Sequence, residues 1–247
     1  MMLCFSGANA LVLGGSADIG LELSRLLIQE KIFPLLTFRN KAGEEKIHEN
    51  LKSYQGLYQV AYCDFGKRKS IEALFEKVNH PLDFMIDIAH GDFERLVCSA
   101  DSSDVDAYFS ENISARAEII KRTGRAMLCN QKGRMIFISS AAVEKPNPGQ
   151  GFYAASKLAA EALYRNAGLE FKDRGITTIT LRPGYIDAGR GRRYLQSRQV
   201  QSSHGVEKNK ILTPKEMAET ILFFLSDSAA GFTTATITIG EHLKKIE

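Results

Sequence analysis

The sequence predicts an α/β fold, a doubly wound parallel sheet of seven strands with helices on both faces. Three observations lead there. Short apolar stretches alternate with helical patterns from one end of the chain to the other. A glycine-containing turn follows the first stretch and opens the first helix. No composition shift, repeat or low-complexity tract marks a boundary, so the 247 residues read as a single domain, 1–247.

The strand candidates are Ala8–Leu13, Phe33–Phe38, Tyr58–Cys63, Phe84–Ile88, Met135–Ile138, Thr177–Leu181 and Thr236–Ile239. Between them lie helical patterns at Ile19–Glu30, Ala42–Ser53, Lys67–Val78, a long one around Asp104–Asn130, Gly151–Asp173 and Pro214–Ser226. Strands separated by helices of this length require crossover connections, and right-handed crossovers wind the sheet on both faces. Two places break the rhythm. Asp101–Asp106 is acidic and reads as a loop and helix cap, and Ile186–Leu212 is a longer, irregular excursion rich in Arg, Gln, Ser and Gly.

Composition narrows the function. The chain is 44% apolar and 25% charged with a net charge of +3, an ordinary globular balance that argues against a dedicated nucleic-acid binder. Cys4, Cys63, Cys98 and Cys129 lack any paired spacing and read as free thiols of a reducing compartment. The five histidines show no metal spacing and read as surface or local packing residues, His90 alone bordering the expected cofactor edge, so no metal is expected. No apolar run is long enough to span a bilayer, and the first fifteen residues lack a basic leader pattern, so the expectation is a cytoplasmic protein that binds no membrane.

The turn Gly14-Gly15-Ser16-Ala17-Asp18-Ile19-Gly20 suits a dinucleotide. Glycine permits a tight turn and close backbone approach to phosphate, and the helix behind it offers unpaired N–H groups and a favourable dipole. Asp18 stands where a third glycine is expected. It reads as the N-cap of the first helix, turned away from the ligand. An NAD binder carries an acid about 20 residues further on, for the ribose 2′-hydroxyl. Here Lys31–Gly43 has no acid and reads Thr37-Phe38-Arg39-Asn40, and Arg39 suits a 2′-phosphate, which favours NADP(H) over NAD(H).

Tyr153 and Lys157 stand four residues apart on one predicted helix, with Ser140 thirteen residues before the tyrosine at the end of a predicted strand. Positions i and i+4 lie one above the other on a helical face. An ammonium held near a phenol favours the phenolate, which makes tyrosine usable in general acid–base chemistry. A serine hydroxyl could share the same substrate oxygen. Ser139, one residue earlier, faces the other side of the strand and reads as a packing residue with a local backbone hydrogen bond.

With these pieces placed, the chain resembles the short-chain dehydrogenase/reductase family in its single-domain branch, and is most similar to 3-oxoacyl-ACP reductases and related ketoreductases. Gly14, Ile19 and Gly20 match the family's glycine turn, Asp64 its adenine-contacting acid, and Asn112 an asparagine that helps hold a relay water. Ser140, Tyr153 and Lys157 match its catalytic spacing, and Pro183-Gly184 the segment lying against the nicotinamide. The resemblance implies a Rossmann-like fold and catalytic roles for Asn112, Ser140, Tyr153 and Lys157. It implies cofactor contacts from Gly14, Ser16, Asp18, Ile19, Arg39, Asp64, Phe65, Ala89, Tyr153, Lys157, Pro183, Gly184 and Ile186.

Three departures mark a divergent member. Asp87-Ile88-Ala89-His90 replaces Asn-Asn-Ala-Gly, Ala188 replaces a threonine, and Gly240-Glu241-His242 replaces Asp-Gly-Gly. The implied activity is NADPH-dependent reduction of a ketone, with a 3-oxoacyl thioester on ACP or CoA among the candidates. A catalytically weak dinucleotide-binding or regulatory subunit is the alternative. The implied partners are a small-molecule or carrier-bound ketone, acyl carrier protein, and further copies of this chain in a homodimer or homotetramer. The alanine-rich helices around Asn112 and Tyr153 (Ala154, Ala155, Ala159, Ala160, Ala162) would form the subunit contact. The excursion at 186–212 would act as a substrate lid whose Arg190, Arg192, Arg193, Arg198, Lys208 and Lys210 suit an acidic or phosphate-bearing substrate. Lys132, Arg134 and Arg174 stand where carrier-contacting basic residues often occur.

Overall fold

A computed structural model describes residues 3–78, 81–199 and 211–240. His80, His204, Lys208, Lys210, Glu241 and His242 lie outside them, as does the side chain of Arg198.

Seven strands, β1 (Asn9–Leu13), β2 (Phe33–Phe38), β3 (Gln59–Tyr62), β4 (Phe84–Asp87), β5 (Gly133–Ile138), β6 (Ile176–Pro183) and β7 (Ala235–Ile239), form one all-parallel sheet in the order β3-β2-β1-β4-β5-β6-β7. The order reverses between β1 and β4, which opens a crevice at the strands' carboxyl ends, where ligands bind in such sheets. The register sets Leu13 beside Asp87 and Ile138 beside Leu181. These pairs bring the glycine turn, the Asp87 segment, Ser140 and Arg182 to the same edge.

The helices are α1 (Asp18–Gln29), α2 (Lys41–Asn50), α3 (Arg68–Glu76), α4 (Ser102–Phe109), α5 (Ala115–Leu128), α6 (Gly151–Phe171), α7 (Gly189–Gln199) and α8 (Pro214–Leu225). Each strand divides its side chains between two cores, as a period of two requires. Ala10, Val12, Leu36, Ile86, Ile136 and Ile179 meet α1 and α8 through Leu23, Leu27 and Ile221. Leu11, Leu13, Leu35, Met85, Met135 and Phe137 meet α3, α5 and α6 through Ile71, Ile119 and Tyr164.

Local chemistry sets several boundaries. Asp101 caps α4 by accepting from Ser103 N, as its acidic stretch suggested. Thr213 and Glu216 close a reciprocal capping box on α8, with Pro214 opening the helix. The long helix expected around Asp104–Asn130 is instead α4 and α5 joined by a wide π turn at Ser110–Ser114. The excursion after β6 is not simply irregular, since it carries α7, and an Ile186–Leu212 bridge closes its base.

Cys4, Cys98 and Cys129 are exposed free thiols, whereas Cys63 is buried and its thiol is pushed up to about 12, chiefly by burial. The thiolate is the reactive species. Thiol titration of the native chain should therefore read the three exposed groups. Cys63 should respond only after denaturation, and rapid modification of it in the native chain would contradict the packing.

Candidate functional site

The glycine turn is built around backbone contact. Gly14 has φ of 84°, and a Cβ there would stand 3.0 Å from Ala89 N, so the β1 turn and the segment after β4 lie backbone to backbone. A Cβ on Gly20 would meet Gly14 O at 2.5 Å, which lets α1 begin directly behind the turn. Ile19 anchors that turn in the core. The start of α1 has no side-chain cap, which leaves backbone N–H groups for an anionic ligand. A close turn with an uncapped helix start fits the pyrophosphate of a nicotinamide dinucleotide. Asp18 departs from expectation here. Ala17 holds the cap position, and Asp18 is the first helical residue, its carboxylate accepting from Lys46 Nζ at 2.7 Å. It complements the helix dipole and pairs with α2.

At the end of β2, Arg39 is 62% exposed and makes two loose ion pairs, 3.5 Å to Asp64 Oδ1 and 3.9 Å to Glu111 Oε2. Exposed pairs of this kind contribute little, so the guanidinium is readily redirected to a phosphate. Asp64 also accepts from Gly66 N at 3.1 Å, and its own N–H donates to Ser70 Oγ.

The centre of the crevice holds a buried charge network that the sequence did not signal. Arg116 is fully buried. Its Nε donates to Asp87 Oδ2 at 2.6 Å, its Nη1 to Asn112 O at 2.5 Å and its Nη2 to Ala89 O at 2.6 Å. Tyr164 donates to the same Asp87 oxygen at 2.8 Å, and the guanidinium lies over the rings of Phe65 and Phe137. Burial, with the Asp87 carboxylate adding to it, pushes the Tyr164 phenol well up. Only a charge partner makes such an arginine tolerable. The aspartate that departs from the Asn-Asn-Ala-Gly pattern supplies it.

Asn112 is buried, its Oδ1 accepting from Gly91 N at 3.2 Å and its Nδ2 donating to Tyr108 O at 2.9 Å. Lys157 is buried below Ser140, its Nζ donating to Ile138 O at 2.6 Å and lying 4.8 Å from the Phe137 ring centre. Burial first, then Arg116, holds its pKa well below the usual lysine range, with Asp87 opposing. Ser140, two residues past β5, has extended backbone and accepts from Ala142 N at 3.1 Å, leaving its own proton to give.

Tyr153 lies in the first turn of α6. The edge of its ring system meets His90 at a centroid distance of 5.0 Å, and the Arg190 guanidinium carbon lies 4.1 Å from its ring centre. His90 is more than a packing residue. Its Nε2 meets Tyr108 Oη at 2.9 Å and Ser156 Oγ at 3.4 Å, while its Nδ1 is buried with no hydrogen-bond partner among the described residues. Burial, then Lys157 and Arg116, pushes its pKa well down and keeps the imidazole neutral.

Beneath Ser140, the expectation for Ser139 fails in an informative way. Its hydroxyl donates not to local backbone but to Glu161 Oε1 on α6, at 2.5 Å. Arg182 completes a brace by pairing with Glu161 at 2.5 Å and Glu144 at 2.5 Å. The brace ties β5, β6 and α6 together where Ser140 and Lys157 need a fixed relation. Gly184 N donates to Ile239 O at 2.8 Å, which fixes the Pro183-Gly184 segment against β7.

Two of the basic residues suggested as carrier contacts, Arg134 and Lys132, are engaged elsewhere. Arg134 donates to Phe224 O and Ser226 O, and Lys132 donates to Ser6 O, all at the amino end of β5, away from Ser140. On α6, Ala154 and Ala160 face the core, whereas Leu158 and Leu169 are exposed. Among the described residues no group of three or more His, Cys, Asp or Glu could hold a metal ion, and no helix is long and apolar enough to cross a membrane.

The reversal in strand order, the glycine turn at that point and the buried lysine under a strand-end serine define a nicotinamide-dinucleotide-dependent oxidoreductase. The chain belongs to the short-chain dehydrogenase family, whose model matches residues 8–199. It is 26% identical over 238 residues to the 3-oxoacyl-[acyl-carrier-protein] reductase FabG of Rickettsia conorii, covering 96% of this chain and 97% of that one. It is 24% identical to the corresponding reductase of Vibrio harveyi, covering 94% and 96%. Among solved structures, a 3-oxoacyl (acyl-carrier-protein) reductase from Agrobacterium tumefaciens with NADP bound superposes with a TM-score of 0.86 at 21% identity, over 97% of this chain and 95% of that one. YwfH, an NADPH-dependent reductase involved in bacilysin biosynthesis, gives 0.85 at 22% identity, over 97% and 100%.

Proposed function

We propose that this chain, acting as one catalytic domain, reduces a ketone to a secondary alcohol with NADPH. The observation that carries the reading is Lys157, buried one helical turn from Tyr153 and hydrogen-bonded to Ile138 O beneath Ser140. A lysine is seldom buried without a task, and the i, i+4 spacing puts this one on the same helical face as the Tyr153 phenol. The bound reduced nicotinamide supplies the hydride. Tyr153 gives the proton to the substrate oxygen, and Ser140 donates a hydrogen bond that orients the same oxygen. Lys157 supports the phenol and the ribose hydroxyls, and Asn112 holds the segment after β4 through Gly91 N. Ser16, Ile19 and the start of α1 receive the pyrophosphate, while Ala89, Pro183, Gly184 and Ile186 line the nicotinamide end. The relatives named as 3-oxoacyl-ACP reductases support a thioester on ACP or CoA as a candidate substrate. The exposed Leu158 and Leu169 on α6 support a homodimer or homotetramer formed through that helix.

The test is NADPH oxidation against a panel of ketones that includes an acetoacetyl thioester. Tight cofactor binding with no turnover of any ketone would favour the regulatory alternative. For the cofactor, Arg39→Ala should reduce the preference for NADPH over NADH by about 10- to 100-fold, the worth of one or two charge-assisted hydrogen bonds. Measured dissociation constants for both nucleotides check it, and equal affinities in the unaltered protein would refute the role of Arg39.

A further inference from the structure

We propose that Arg190 forms an anion subsite over Tyr153, and that the preferred substrate is an oxo acid whose free carboxylate lies close to its ketone. This rests on the ketoreductase reading and narrows its substrate. Arg190 is the second residue of α7 and reaches inward from the lid, its guanidinium carbon 4.1 Å from the Tyr153 ring centre. Its Nη1 is buried and finds no hydrogen-bond acceptor among the described residues. Nε is paired with Asp92 Oδ1 at 2.5 Å, whereas Nη2 makes only a 3.4 Å contact with Gly91 O. A guanidinium nitrogen buried without an acceptor calls for one.

The charge count agrees. Asp92 faces both Arg190 and Arg193, so one half-exposed carboxylate meets two guanidinium groups and leaves a positive surplus. Arg190 also stands among the groups that disfavour charge on His90 and Lys157, so its positive charge acts at this same site. An incoming carboxylate would take the N–H groups of Nη1 and Nη2 and offset that surplus. Because the guanidinium lies against the tyrosine ring itself, the anion it holds and the carbonyl that Tyr153 serves must be close in the substrate. Beside them, Phe93 stacks on Tyr108 at 5.1 Å and meets Phe152 at 5.3 Å, an aromatic wall for an apolar substituent.

The experiment compares a short 2- or 3-oxo acid with its methyl ester, using the full chain, NADPH, and the variants Arg190→Met and Arg190→Lys. In the unaltered protein kcat/KM should favour the acid, and Arg190→Met should lower the acid-to-ester ratio by about 10- to 100-fold, with Arg190→Lys in between. An unaltered protein that shows no preference, or a ratio that survives Arg190→Met, overturns the proposal. So does a loss of NADPH affinity in Arg190→Met with the ratio unchanged, which would assign the guanidinium to the cofactor. If neither acid nor ester is reduced while another ketone of the panel is, the proposal is overturned; if no ketone at all is reduced, the ketoreductase reading fails by itself. The subsite is then judged by calorimetry of oxamate on the NADP-loaded protein, where binding abolished by Arg190→Met supports it and no binding to the unaltered protein refutes it.

Discussion

Replacing Tyr153 by phenylalanine should leave NADPH binding within a factor of about two and lower ketone reduction by about 10²- to 10⁴-fold, the usual contribution of a positioned general acid. The change removes one oxygen and preserves the ring that Arg190 and His90 contact, so the packing on both sides of Tyr153 has little reason to shift. The loss should fall mainly on kcat, because the hydroxyl acts on charge that develops in the transition state. Steady-state kinetics on any ketone from the panel, with cofactor titration alongside, make the comparison. A Tyr153→Phe enzyme that retains most of its turnover would remove the phenol from the mechanism.

The second large effect concerns stability. Arg116→Met should cost about 3–5 kcal/mol, because it leaves the Asp87 carboxylate buried without its cation. For a chain of this size about 1 kcal/mol corresponds to 2–4 °C, so Tm should fall by roughly 6–20 °C. The double replacement Asp87→Leu with Arg116→Met should recover most of the loss, since removing both charges is often neutral. Thermal unfolding of the single and double variants forms a cycle. If the two losses simply add, the pair is not the coupled unit its geometry describes. The carbonyls of Ala89 and Asn112 lose a partner in both variants and Tyr164 loses its acceptor in the double one, which sets a ceiling on how complete the recovery is.

How far the sequence could be read depends on the range of the interaction. Strand and helix alternation is local, so all seven strands fall within a few residues of their expected bounds. Tyr153 and Lys157 were legible because a helix converts their spacing directly into a shared face. Arg116 was not, because its meaning depends on Asp87, 29 residues away and on another element. The Asp87-Ile88-Ala89-His90 departure was visible, but a departure does not name its compensation. A basic residue on an otherwise apolar helix face was the available signal. Asp18 misled because a single acid at a helix start suits both a cap and a first-turn position, and only the backbone of Ala17 distinguishes them. Ser139 misled for a related reason, its partner Glu161 lying on α6 and out of reach of any local rule. Arg190 was grouped with its neighbours as diffuse lid charge, and only the start of α7 singles it out.

The wide turn at Ser110–Ser114 bears on how this chain tolerates insertions and deletions. A π turn carries one residue more than the α-helix around it, and deleting that residue would rotate everything downstream by about 100°. Asn112 and Arg116 sit on opposite sides of the turn's end, so such a deletion would leave Asn112 under Gly91 while swinging Arg116 away from Asp87. Many surface loops absorb a lost residue with little effect. This segment, inside a helix and far from either terminus, should instead be among the least permissive positions in a deletion scan, and an alignment that closes a gap there would pair the wrong faces of α5.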